Sequence, residues 1–215
     1  HFEVQAEETP AGLALTGSVL DETDRAALLA ALERALPGAP IASAALRVLR
    51  RPANPVLAVG SNLTGLHRSP SFLAEQLSQL VNGMLVEVLG EDGRWCYVRQ
   101  SDGYLGWTYR PYLTAESAPP ATHLLVSPQE QLLLEPRPAA PILTRVLGGT
   151  ALHVSGYSAG WVEVILAGGL SGWLAETSLR AYTHLPESDE QRRAQMIFDA
   201  ARMTGVPYLW GGNTA

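Results

Sequence analysis

The sequence predicts a multidomain, mainly β protein: two small β-barrels in tandem, a small α/β unit before them and a helix after them. Three observations predict this. The first is an ungapped internal repeat, in which Trp161 follows Trp95 by 66 positions. Pro70 and Pro136, Gly83 and Gly149, Val98 and Val164, and Leu113 and Leu179 are related by the same spacing of 66. So are the Gly106-Trp107 and Gly172-Trp173 pairs. Self-similarity at a fixed period marks repeated structural units. The second is that each copy reads as short apolar runs parted by glycine turns, the signature of a small all-β domain. The third is that helical spacing with capping signals occurs in two places only, near each end of the chain.

Residues 1–50 read as a small α/β unit. Leu13, Leu15 and Ser18-Val19 suggest a strand, with a turn at Gly17. Asp21 or Thr23 can cap a helix whose apolar stripe is Leu28, Leu29, Leu32 and Leu36. Pro37-Gly38 ends it, and Ile41 to Leu49 reads as a returning strand. This order resembles a BON domain; a generic βαβ-like packing module fits it as well. Arg50-Arg51-Pro52-Ala53-Asn54-Pro55 reads as a linker.

In the first copy, Leu85–Leu89, Trp95–Arg99 and Tyr104–Thr108 are expected strands. Glu91-Asp92-Gly93 and Ser101-Asp102-Gly103 are the turns between them. The second copy repeats this with Ala151–Val154, Ser158-Ala159-Gly160 and Trp161–Ile165. The pattern Gly…Val-x-Val…Gly-x-Trp-x-x-Val…Gly-x-x-Gly-Trp resembles the bacterial SH3 (SH3b) domain. Leu152 replaces the first Val in the second copy. The resemblance covers about 56–114 and about 122–181. Ser117-Ala118-Pro119-Pro120-Ala121-Thr122 is the connector, and two adjacent prolines make it short and stiff.

From Ser188 onward a capping box is expected, with Ser188 at the N-cap and Gln191 three residues on. Ala194, Ile197, Phe198 and Ala201 share one helical face, expected to be buried, resting on a barrel or staying partly exposed. Gly205 and Pro207 stop the helix. Tyr208-Leu209-Trp210-Gly211-Gly212 follows. A helix leading into Tyr-x-Trp-Gly-Gly resembles the opening of an NlpC/P60 cysteine peptidase domain. Residues 186–215 would then be the start of that papain-like α+β domain. In the family an Asp-Cys-Ser-Gly stretch comes next, and the sequence stops at Ala215 before it. The chain as written is therefore expected to be inactive.

A BON-like unit, two SH3b units and an NlpC/P60 opening together resemble the γ-D-glutamyl-L-diamino-acid endopeptidases, which include the dipeptidyl-peptidase VI enzymes. The resemblance implies a thiol peptidase acting on peptidoglycan stem peptides or free muropeptides with a free N-terminal L-Ala. It implies no cofactor. The other reading is a non-catalytic module that binds cell wall or peptide through its SH3b units.

Cys96 is the sequence's one thiol. It lies mid-strand on the same face as Val98, with no helix N-terminus or nearby imidazole to form a thiolate, so it reads as structural. His1, His67, His123, His153 and His184 have no metal-ligand spacing. The Ala74-Glu75-Gln76-Leu77-Ser78-Gln79 run resembles a Ser-Glu-x-x-Thr-Gln run in the first SH3b of the free-L-Ala-specific enzymes. There an acid and a tyrosine reach the active site, which implies Glu75 with Tyr104 or Tyr109 as substrate-binding residues. A carboxylate beside a free amine discriminates against an acylated one. The bland reading of Glu75 is a solvated charge on a helical turn. The second copy has no acid at 141. Tyr208 is by resemblance the oxyanion support, with Trp210 packed beneath it.

A composition of 47% hydrophobic and 17% charged residues is that of a globular chain. A formal charge of −6 argues against a general nucleic-acid grip. No apolar run is long enough to span a membrane. The chain begins at His1, which leaves both the bacterial envelope or secretion and cytoplasmic wall recycling open as compartments.

Overall fold

The computed structural model describes residues 2–202, 204–212 and 214. The chain divides into two units, 1–55 and 56–215.

In the first unit, β1 (Phe2–Thr9) and β2 (Gly12–Val19) form an antiparallel hairpin. Helix α1 (Glu22–Ala35) then leads to β3 (Ile41–Val48), which pairs parallel to β2. The central strand is therefore β2. Asp21 caps α1 by accepting the Asp24 N–H at 3.0 Å. Leu15, Val19 and Leu46 are buried, while Leu28, Leu29 and Leu32 of α1 are half-buried. The expected turn at Gly17 is not there, because β2 runs straight through it. Gly17 pairs with Val4 at φ +102, and a Cβ there would meet the Glu3 carbonyl oxygen. The glycine marks a close backbone approach within a hairpin whose first strand was not anticipated.

In the second unit, one sheet holds β4 (Val56–Val59), β5 (Leu63–His67), β6 (Gln76–Val81), β7 (Leu85–Asp92), β8 (Trp95–Gln100), β9 (Leu105–Tyr109) and β10 (Leu113–Thr114). Their order is β10-β4-β7-β8-β9-β5-β6. A further sheet holds β11 (His123–Leu125), β12 (Gln129–Leu133), β13 (Ile142–Leu147), β14 (Ala151–Ser158), β15 (Trp161–Ile165), β16 (Ser171–Ala175) and β17 (Leu179–Ala181). Its order, read from β17, is β17-β11-β14-β15-β16-β12-β13, the same arrangement strand for strand. The bulges also recur, at Leu66/His67 and Leu132/Leu133 and at Val88/Gly90 and Val154/Gly156. The glycines of the Gly106-Trp107 and Gly172-Trp173 pairs recur for one reason. A Cβ at Gly106 would lie 2.7 Å from Leu66, and one at Gly172 would lie 2.8 Å from Leu132.

Alternation along the strands gives each sheet its own core. Leu57, Val59, Leu66, Leu80, Val86, Val88, Cys96, Val98 and Leu113 fill the first. Leu125, Leu132, Val146, Leu152, Val162, Val164, Leu166 and Leu174 fill the second.

Helix α2 (Asp189–Arg202) follows the second sheet. Its capping box forms: Ser188 Oγ accepts the Gln191 N–H and Gln191 Oε1 accepts the Ser188 N–H, both at 3.2 Å. The apolar face is not buried on a sheet; of the expected outcomes, exposure is the one found. Ile197 is 72% exposed, and Met196 and Phe198 are exposed with it. The half-buried positions are Gln195 and Asp199. Asp199 pairs with Arg180 of β17 at 3.6 Å and accepts from Gln195 at 2.7 Å. The side of the helix nearest the second sheet is thus the polar one, where Arg180 pairs with Asp199.

Candidate binding cleft

Strands β5 and β6 are joined by the Arg68–Glu75 loop. Backbone pairing closes it, the Arg68 N–H donating to the Glu75 carbonyl at 3.0 Å. Arg68 Nε also donates to Glu75 Oε2 at 2.6 Å, an ion pair at the surface. Glu75 is therefore at the foot of a strand, not on a helical turn. Across the sheet, Asp102 Oδ1 accepts the Tyr104 N–H at 3.0 Å, which fixes the turn before β9. That turn is of the kind aspartate forms with the backbone two residues on.

The C-terminal turn comes to the same place. Gln76 Nε2 donates to the Trp210 carbonyl at 3.2 Å. Gly211, at φ +70, sits so close to β6 that a Cβ would be 2.7 Å from the Gln76 carbonyl oxygen. Arg68, Glu75, Asp102 and Tyr104 thereby share one cleft, of about 420 Å³, with Tyr208 and Trp210. Tyr208 is 84% exposed, and Trp210 is exposed beside it, not packed beneath it.

The structure separates the two candidate tyrosines. Tyr104 lines the cleft. Tyr109, at the end of β9, packs instead against Phe72, Trp95 and Tyr112, with Arg94 stacked 5.1 Å from its ring centre. His67 closes this aromatic cluster edge-on to Phe72 and Trp95. Its Nδ1 is held by the Ala74 carbonyl at 3.3 Å.

Arg68 and Asp102 were not singled out in the sequence, yet the repeat could have found them. At the spacing of 66, Arg68, Glu75, Asp102 and Tyr104 become Leu134, Pro141, Gly168 and Leu170. The framework is shared, and its polar groups belong to the first copy alone.

Cys96 is fully buried, and burial together with the Glu91 carboxylate pushes its thiol up to about 11. Such a thiol does not supply a thiolate near neutral pH. Among the described residues no group of three His, Cys, Asp or Glu side chains could hold a metal ion. No helix of the described residues is long and apolar enough to cross a membrane.

Residues 61–114 match the bacterial SH3 domain family. No curated protein matches the chain. Among solved structures the chain is similar to an NlpC/P60 family protein from Bacillus cereus, at 16% identity and a TM-score of 0.61. That match covers 74% of this chain and 67% of the other. At this identity the likeness is one of fold. NlpC2 and NlpC1 of Trichomonas vaginalis match at 16% and 17% identity, with TM-scores of 0.28 and 0.26. The first covers 70% of this chain and 57% of the other, the second 66% and 51%.

Proposed function

We propose that the chain is the substrate-selecting part of a peptidoglycan stem-peptide endopeptidase, with residues 56–114 and 122–181 as paired SH3b domains and 186–215 as the start of an NlpC/P60 domain. The reaction is cleavage of the bond between γ-D-Glu and a diamino acid. A thiolate attacks the amide carbonyl, the amine leaves with a proton, and water releases the acyl group. The thiolate comes from outside these 215 residues, since Cys96 is buried and protonated. What this chain contributes is the choice of substrate. Glu75 attracts the free ammonium of an N-terminal L-Ala, Tyr104 borders it, and Tyr208 carries the cleft toward the reacting bond.

The observation that carries this reading is the meeting of Glu75 and Tyr104 with the Tyr-x-Trp-Gly-Gly turn in one cleft. Two stretches singled out separately in the sequence, about 130 residues apart, form one surface.

The test is to titrate the chain with γ-linked L-Ala-D-Glu and with its N-acetyl form, following Trp210 by fluorescence or NMR. The free amine is expected to bind at least about tenfold more tightly, a difference of about 1.4 kcal/mol. Glu75→Gln is expected to erase most of that difference. Equal binding of the two ligands would refute the reading.

A second reading, a wall- or peptide-binding module, is favoured by the aromatic cluster. Leu73 beside it is 97% exposed, and Phe72 and Tyr112 are exposed too. Sedimentation of the chain with intact peptidoglycan separates the two. Retention lost in Phe72→Ala and kept in Glu75→Gln would favour the module.

A further inference from the structure

We infer that Arg68 is a carboxylate anchor, so that the cleft takes a zwitterionic peptide end: an ammonium with a free carboxylate one residue away. The inference rests on the reading of the cleft as a site for a free amine, and adds the group that the amine's neighbour must carry.

Among the described residues that line the cleft the charged ones are Arg68, a cation, and the carboxylates Glu75 and Asp102. Two acids suit an ammonium. The backbone closure of the loop does not require the cation at this position, which leaves it available to a ligand. In the second copy the same loop closes with the Leu134 N–H donating to the Pro141 carbonyl at 2.9 Å. The matching bond in the first copy joins Arg68 to Glu75 at 3.0 Å. The backbone closure therefore needs no ion pair between these two positions, although the second loop carries a surface pair of its own, Arg137 Nε to Glu135 Oε2 at 2.6 Å. An ion pair this exposed, with the Arg68 side chain at 68%, adds little to stability.

The chemistry of the guanidinium fits the added role. Only Nε is engaged by Glu75. The planar fork has five N–H groups, and the edge formed by its two Nη atoms can bind a second carboxylate in bidentate fashion. Arg68 can therefore hold Glu75 in place and a ligand carboxylate at once. A γ-linked L-Ala-D-Glu end has this form. Its chain continues through the side-chain carboxyl, so the α-carboxylate stays free beside the alanine that carries the ammonium. Amidation of that carboxylate removes the charge and leaves the shape.

The experiment uses the 215-residue chain and three probes: L-Ala-D-Glu with its γ-carboxyl capped as the methylamide, the α-carboxamide of that compound and its N-acetyl form. Binding is measured by calorimetry for wild type, Arg68→Gln and Arg68→Lys, with melting curves to show that each variant is folded. In wild type, amidation is expected to weaken binding at least tenfold. In Arg68→Gln the acid and the amide should bind alike, near the wild-type amide. Arg68→Lys should recover part of the preference as a single point charge. If acid and amide bind wild type equally while acetylation abolishes binding, the anchor role fails and the amine reading stands. If Arg68→Gln weakens acid and amide by the same factor, Arg68 only positions Glu75, and the inference is overturned. If none of the three binds, or all bind alike, both fail.

Discussion

Asn82 and Ala167 exchange two hydrogen bonds between the two sheets of the second unit. Asn82 Nδ2 donates to the Ala167 carbonyl at 3.3 Å, and Oδ1 accepts the Ala167 N–H at 3.0 Å. The same Nδ2 donates to the Gly60 carbonyl at 3.0 Å. Asn82 is 4% exposed, so these groups have little water to turn to. Its counterpart in the second copy is Gly148, which has no side chain to offer. The bond is therefore a property of the joint and not of the repeat. Asn82→Ala should leave the Ala167 backbone unpaired and cost about 1–3 kcal/mol. Urea unfolding checks this, and an unchanged midpoint would show that the joint contributes nothing to stability.

His123 should make the second unit sensitive to acid. Thr122 Oγ1 accepts the Val154 N–H at 3.1 Å and is also within hydrogen-bond distance of His123 Nδ1, at 2.9 Å. Burial, and next the charge of His184, hold His123 below its ordinary 6.5, with Glu176 opposing. The unfolded chain thus binds a proton more readily than the folded one. Stability is fully present above pH 6.5 and is lost as pH falls through that value. The loss levels off below the folded value. Melting temperatures measured from pH 8 to pH 5 should show the fall, and His123→Gln should flatten it. An identical slope in the variant would assign the effect elsewhere.

Cys96 should be inert to thiol reagents in the folded chain at pH 8 and react on unfolding. Its thiol is raised from 9.0 to about 11, by burial first and by Glu91 second. Here the folded state keeps its proton longer than the unfolded state. The associated stability is complete below about pH 9 and is lost as pH rises toward about 11. Cys96→Ala should reduce that alkaline loss. Rapid labelling of the native chain at pH 8 would contradict the burial of Cys96 between Val98 and its neighbours in the first core.

The parts of the fold that could be read from the sequence were those governed by local rules. The Asp21 cap, the Ser188–Gln191 box and the Gly93 and Gly160 turns each depend on a few adjacent residues. All are present in the structure. The repeat adds long-range information because one spacing, 66, carries every strand of the first sheet onto the second. What local rules missed depended on a distant partner. Gly17 reads as a turn only until β1 is seen beside it. Ile197 and Phe198 read as a buried face until the helix is seen to turn Gln195 and Asp199, not them, toward the second sheet. The cleft was half legible. Glu75 is named with Tyr104 or Tyr109 as its partner and Tyr208 apart from them, and nothing local says that Asp102 joins them or that Tyr109 turns away into the aromatic cluster.

The cleft depends on the seat of Gly211 against β6, and that contact can be broken alone. A methyl group at 211 would stand 2.7 Å from the Gln76 carbonyl oxygen and 3.1 Å from the Ser78 nitrogen, both backbone atoms that cannot swing aside. The backbone at φ +70 also disfavours any side chain. The sheet does not need the turn, because the first core is built from β4–β10 residues only. Gly211→Ala should therefore lift the C-terminal turn while leaving the melting temperature within about 2 °C of wild type, the scale expected of a surface change of under about 0.5 kcal/mol. Chymotrypsin should cut at Tyr208, Leu209 or Trp210 several-fold faster in the variant, since cleavage follows the population of the opened segment. Ligand binding should weaken in parallel, because Tyr208 and Trp210 form one wall of the cleft. Faster cleavage with undiminished binding would confine the site to the first sheet. Unchanged cleavage would mean that the turn is held by something other than this seat.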